Sequence, residues 1–271
     1  MKIVRGVILP SLFYGAECWA GVLAHQSKLD RLDRVLGTAG RLAMGLESST
    51  STEATLVLAN IPPARFQIIK RLCKFMIRRK IEGRKAFETQ GQTRHYVVPA
   101  EVGAFWLRRS TKQLGVTNPF SVSRGVLYRL LDRQLMAAWQ REWRNIEHGS
   151  LLREVIPRVG AEWIPGAKMS RSQTTQMARI LTGHCHWSGQ SLQWTEDRRE
   201  ACPLCGHPFT RQHILFECEM LTDIRSSCLE SVPYYHRREL EWLSTQRQRA
   251  LMVLIQHISA ELETCEDSDC D

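Results

Sequence analysis

Three thiols and one imidazole within seventeen residues are the side chains of this chain best suited to chemistry. Cys202 and Cys205 stand in Cys202-Pro203-Leu204-Cys205-Gly206, and His213 and Cys218 bound His213-Ile214-Leu215-Phe216-Glu217-Cys218, a C-x2-C-x7-H-x4-C spacing. Such a set can close a tetrahedron around Zn2+, a d10 ion with no geometric preference of its own. Four protein ligands leave no open position for a substrate, so the zinc expected here is structural. Gly206 can take the positive φ by which the chain leaves a Cys-x-x-Cys turn. So small a loop has almost no core, and the metal is expected to supply most of its folding free energy, on the order of 10 kcal/mol or more.

Other chemistries fit these residues less well. A redox dithiol wants a βαβ surrounding, and nothing around Cys202 has that pattern. A deaminase-type zinc wants H-x-E upstream of P-C-x-x-C, whereas the upstream cluster His184-Cys185-His186 brings no glutamate to that place. Inert buried thiols are the remaining reading. His207 follows Cys205 too closely to span the site comfortably. A nucleophilic Cys185 beside His184 or His186 lacks an orienting acid, and adjacent residues rarely aim at each other productively.

The elements that must position this cluster read as helices. With 271 residues, 43% hydrophobic and 24% charged, the chain has the composition of one large or two modest globular domains. Of nine cysteines, the six outside the cluster show no framework spacing, which fits a reducing, intracellular compartment (nucleus or cytoplasm) and not secretion. Residues 7–24, behind Lys2 and Arg5, imitate a signal peptide or membrane span. Pro10 and Glu17 interrupt that run and no second span follows, so a buried helical segment broken near Pro10 is expected, with no membrane partner. The run starts mid-pattern, from which we expect the terminal piece of something longer.

Apolar residues then recur at three- and four-residue steps. Residues 26–46 carry Leu29, Leu32, Leu36, Ala39 and Ala43 on one face, and the cluster Ser48 to Thr52 is expected to cap a short helix after it. Ile61-Pro62-Pro63 is a rigid turn before a helix over residues 64–82, whose stripe is Phe66, Ile69, Leu72, Cys73 and Met76 and which Gly83 stops. Residues 84–123 are broken by Gly91, Pro99, Gly103, Gly115 and Pro119, and read as a loop-rich connector with one short helix over 104–114. A wide apolar face returns over 125–147, where Trp139 and Trp143 at i,i+4 read as core before they read as base-stacking surfaces. Helices are also expected over 170–181 and 238–263, ahead of an acidic, disordered tail.

Charge is unevenly spread along these elements. The net charge is +9, but residues 65–179 alone carry +15 and the rest −6, six acids falling in 261–271. Lys70, Arg71, Lys74, Arg78, Arg79 and Lys80 crowd the polar side of the helix over 64–82. Such a helix can lie against a phosphate backbone, with salt-sensitive and sequence-independent affinity, so RNA or DNA is the expected partner.

Two segments together resemble the non-LTR (LINE-type) retrotransposon reverse transcriptases. Tyr14-Gly15-Ala16-Glu17-Cys18-Trp19 and Ala59-Asn60-Ile61-Pro62-Pro63 are similar to the region after the polymerase palm, where Tyr-Gly-x-Glu-x-Trp and a Gly-Ile-Pro-Pro-like turn lie in a helical thumb; Asn60 replaces the usual glycine. Leu181-Thr182-Gly183-His184, leading into Cys202, Cys205, His213 and Cys218, resembles the carboxy-terminal Gly-His and Cys-Cys-His-Cys module of the same polyproteins. Reverse transcription needs paired aspartates for two metal ions, and the sequence contains no Asp-Asp pair. A ribonuclease H insert is equally absent from the pattern.

The resemblance therefore implies a nucleic-acid-binding thumb and tail without a polymerase active site, and no catalytic residue or enzyme activity is expected of this chain alone. The fold expected is mainly α: a thumb-like helical bundle over 1–83, a connector with helices over 84–169, a Gly-His segment and CCHC knuckle over 170–232, and a helix with acidic tail over 233–271. In this reading the helix over 64–82 grips phosphates of a template–primer, the knuckle presents Arg198, Arg199 and Arg211 to RNA or DNA, and the missing upstream polymerase domains are further partners. The alternative is a zinc-stabilised helical adaptor that binds protein.

Overall fold

The computed structural model describes residues 1–80, 97–147, 152–153, 156–160, 170–182, 186–187, 190–191, 201–209, 213–229 and 257–258. The protein is mainly helical, with α1 (Leu9–Leu12), α2 (Gln26–Met44), α3 (Thr52–Leu58), α4 (Ala64–Arg79), α5 (Val97–Thr111), α6 (Arg124–Asn145), α7 (Arg171–Thr182) and α8 (Thr222–Leu229). Two-residue strands β1 (His186–Trp187) and β2 (Gln190–Ser191) pair antiparallel. Arg198, Arg199, Arg211, Gly83, the acidic tail and all but two residues of the helix expected over 238–263 lie outside the described residues. Among those described, no helix is long and apolar enough to cross a membrane. The chain divides into two compact units: Met1–Ala43, Thr55–Ile146 and Arg158–Gly160 form the first, and Met44–Ala54, Glu147–Pro157 and Ala161–Asp271 the second.

The first unit is organised on α4. Its expected stripe, Phe66, Ile69, Leu72, Cys73 and Met76, is buried, and so are Ile68 and Ile77. The apolar face is wider than one stripe because α4, α5 and α6 pack on one another in pairs, with the 3-10 turn Ala20–Ala24 against both α4 and α5. Remote side chains satisfy orphaned helix ends. Asp33 on α2 accepts from Ala64 N–H at the start of α4 (2.6 Å), and Arg5 donates to Ala59 O just past α3 (3.1 Å). The serine-rich cluster does cap α3, through Ser51 Oγ accepting from Ala54 N–H (3.1 Å).

Three expectations change. α4 ends at Arg79, with Lys80 and not Gly83 as its left-handed cap, its N–H reaching back to Ile77 O and Met76 O. α5 begins well before residue 104. Pro99 stands in its first turn, where no intrahelical N–H bond is lost, so it does not break the helix. Gly103 is a point of close approach, since a Cβ there would sit 2.2 Å from Met76 Sδ. At the amino terminus Pro10 likewise sits in the first turn of α1. Phe13 is wholly buried, while Ile3, Val7 and Tyr14 are the exposed large side chains of that segment. Trp139 and Trp143 on α6 belong to the core, 3% and 0% exposed.

In the second unit α7 opens with a reciprocal capping box: Gln173 N–H donates to Ser170 Oγ and Ser170 N–H to Gln173 Oε1. Arg179 near its end donates to Gly45 O (2.8 Å) and pairs with Glu47 (3.3 Å), tying the turn after α2 to α7.

Candidate metal centre and basic helix

The four ligand residues come from two turns. In the first, Gly206 N–H donates to Cys202 O (2.8 Å) and Cys202 N–H to His207 O (2.6 Å), while Ala201 and Pro208 form an antiparallel bridge below. Gly206 leaves the turn at φ 77° with open space around it, the conformation its sequence position calls for. The second is a π-type turn over His213–Glu217, closed by Cys218 N–H donating to His213 O (2.7 Å). Because this bond spans five residues, His213 and Cys218 return to the same side. Ile214 and Leu215 between them are buried, as is Phe209, giving the turns a small apolar footing.

Together these turns bring Cys202, Cys205, His213 and Cys218 to a point, their ligand atoms all within 4.8 Å of one another. Cys205 Sγ lies 3.1 Å from His213 Nε2 and 3.7 Å from Cys218 Sγ. An ion about 2.3 Å from each sulfur of a tetrahedron spaces those sulfurs by about 3.8 Å, so the Cys205–Cys218 edge already has the length a bound ion requires. Cys202, Cys218 and His213 are buried and Cys205 half-buried. The set can hold a metal ion, and three soft thiolates with one imidazole favour a tetrahedral, thiophilic one.

Electrostatics point the same way. Burial pushes the Cys202 thiol up to about 12 and raises Cys218, whose hydrogen bond to Cys205 adds to the effect. Burial acts upward on Cys205 too, but hydrogen bonds from His207, Cys202 and Cys218 outweigh it and its net shift is downward. His213 is lowered, first by burial and then by the charge of His207, which favours the neutral, ligating imidazole. A cluster that resists gathering negative charge on its own is relieved by a divalent cation.

One neighbour weighed above as a ligand, His207, and one that spacing did not single out, Arg225, flank the site. His207, not itself a ligand, stacks on His213 with ring centroids 5.7 Å apart and is raised by its hydrogen bond to Cys205. Arg225 on α8 is buried, and its guanidinium donates to Cys218 O and, at 3.5 Å, to Ile214 O. A zinc with three thiolates carries a formal charge of −1, and Arg225 places a cation beneath it. A buried arginine has no local spacing signature, so nothing in the sequence singled out Arg225.

The six cations of the basic helix separate into two groups. Lys70, Arg71 and Lys74 are half-buried, while Arg78, Arg79 and Lys80 stand exposed at the carboxy-terminal end of α4, where the helix dipole also favours them. Lys70 pairs with Asp132 of α6 at 2.7 Å. The Arg71 guanidinium lies 5.8 Å from the Phe13 ring and Lys74 Nζ 5.4 Å from that of Tyr128. Burial and then Lys70 lower Lys74, and Arg71 and Arg78 add to the effect over the opposing pull of Asp132. Among the described residues no carboxylate forms an ion pair with Arg71, Lys74 or Arg78. Comparison with protein families, curated proteins and solved structures finds no match to this chain.

Proposed function

We propose that this protein binds nucleic acid through α4 and carries a structural Zn2+ on Cys202, Cys205, His213 and Cys218, in the manner of the thumb and knuckle of a non-LTR reverse transcriptase. The observation that carries the binding reading is the run Arg71, Lys74 and Arg78, on successive turns of one helix and in no ion pair among the described residues, inside a region of charge +15. Zinc is the reading for the metal because the site offers three sulfurs and a ring nitrogen at tetrahedral spacing. Backbone conformation supports the resemblance at two motif positions. Gly15 of Tyr14-Gly15 has φ 60° and Asn60, standing where that family has glycine, has φ 49°. Asparagine is among the few residues that tolerate this region, so the departure keeps the turn.

Binding to RNA or DNA should weaken steeply with salt, by about 0.9 in the log–log slope for each phosphate neutralised on a duplex and about 0.7 on a single strand. Changing Arg78, Arg79 and Lys80 together to alanine should lower that slope by about two on a single strand and about 2.7 on a duplex, and remove most retention in a filter-binding assay at about 100 mM salt. Affinity that ignores salt, or that survives the triple substitution unchanged, overturns the assignment. Ile3 and Val7, 72% and 58% exposed, favour a second reading as a protein-binding adaptor, in which the same triple variant leaves partner binding intact.

A further inference from the structure

We infer that the basic face of α4 is built for an unpaired strand, holding bases in two adjoining clefts and phosphates on the cations between them. The inference rests on the nucleic-acid reading and specifies which form is bound. Both clefts belong to the first unit. The larger, about 530 Å3, is lined by Phe66, Gln67, Lys70, Arg71, Lys74 and Trp139 among others, with Asp132 at its side. The smaller, about 440 Å3, is lined by Tyr14, Arg71, Lys74, Arg78, Tyr128 and the carboxylate of Glu17. Arg71 and Lys74 are common to the two, so one cationic ridge divides an apolar hollow floored by the core residues Phe66 and Trp139 from a hollow whose rings, Tyr14 and Tyr128, are accessible.

That alternation of charge and ring matches a single strand and not a duplex. Each base of a free strand has a π-face to set against an aromatic ring, and the phosphates between successive bases need a cation at that interval. The volumes are those of small-ligand clefts, large enough for a base and its sugar. A duplex keeps its bases stacked and paired, so it can reach only cations that project outward, such as Arg78, Arg79 and Lys80. Tyr14 is the most telling residue: an aromatic side chain 85% exposed at the mouth of a cationic cleft. With Lys70 held by Asp132, the cations left for phosphate are Arg71 and Lys74 on the ridge and Arg78, Arg79 and Lys80 beyond it.

The test compares the full chain with a fluorescein-labelled twelve-nucleotide oligo(dT) and with a twelve-base-pair mixed-sequence DNA duplex, by anisotropy at one salt concentration. The single strand should bind at least about tenfold more tightly. Tyr14→Ala, a surface change that leaves the core alone, should cost the single strand about tenfold and the duplex nothing, with the salt slope unchanged. Gln67→Trp, which fills the larger cleft, should act in the same direction, and unchanged circular dichroism shows that the variant has folded. Equal binding of both forms, insensitive to Tyr14→Ala, overturns the single-strand inference and leaves the nucleic-acid reading standing. Binding of neither form at low salt overturns both.

Discussion

The α4-centred unit and the cysteine knuckle solve the same problem by different means. Around α4, a stack of buried side chains from three helices excludes water, and the loss of any one contact is spread over many neighbours. Among the described residues of the knuckle, Ile214, Leu215, Phe209 and Leu221 supply the apolar burial, and two turns converge on four ligand atoms. One region is stabilised by area; the other, in the proposed metal-bound form, would be stabilised at a point. Area tolerates substitution in proportion to what is removed, while a point fails when one ligand is lost.

The sharpest way to break that contrast is to remove the metal. Chelation of zinc-loaded protein, or Cys218→Ser, should release one zinc per chain by elemental analysis and open residues 201–229 to proteolysis, the apparent binding energy being on the order of 10 kcal/mol. Residues 64–79 should stay protected. The reciprocal change, Trp143→Ala on α6, removes a fully buried ring and should cost about 3–5 kcal/mol of thermal stability with zinc content unaltered. Acid should act as the chelator does. The thiols that burial holds protonated must release protons to bind, so metal affinity falls as pH falls. Protein that purifies without metal and keeps residues 201–229 protected in chelator would remove the distinction.

A smaller effect tests whether the point site has support outside its ligands. Arg225→Ala strips two carbonyls, Ile214 O and Cys218 O, of a buried charged donor and removes the cation beneath the thiolates. The expected cost is about 2 kcal/mol, seen as a tenfold or greater fall in zinc affinity by competition with a chromophoric chelator. Arg225→Lys restores charge but not the two-pronged donor, and should recover only part of it. A variant that binds zinc as tightly as the parent chain would make Arg225 a packing residue of α8 alone.

The two regions were also unequally legible before any coordinates. The ligand set could be read because type and spacing are local, and both turns that present it lie within a few residues of the ligands they carry. The α4 stripe could be read for the same reason, since a 3.6-residue period reports which face is apolar. What periodicity does not report is how many neighbours that face meets, which is why Ile68 and Ile77 came as additional core. Pro99 and Gly103 misled in the same way. Each is a breaker in isolation, yet one stands in a tolerant first turn and the other admits Met76, a contact twenty-seven residues earlier in the chain that no short window around Gly103 contains. Arg225 and Asp33 complete the pattern: side chains that satisfy distant backbone groups leave no local trace.

The least effect expected belongs to Asp132, and it bears on whether the α4 face is tuned for binding or for stability. Asp132 pairs with Lys70 across α6 and α4, both side chains about two-fifths exposed, so solvent screens the pair and its worth to folding is at most about 1 kcal/mol. Asp132→Asn should therefore move the melting temperature by little. It should raise affinity for oligo(dT), because Lys70 is released and a negative charge leaves the side of the larger cleft. The gain expected is roughly two- to fivefold at low salt and vanishes at high salt, as a screened charge effect must. Calorimetry and anisotropy titrations on the same preparation read both quantities. A large loss of stability with no gain in binding would mean that the Lys70–Asp132 pair joins helices and has no part in the cleft's chemistry.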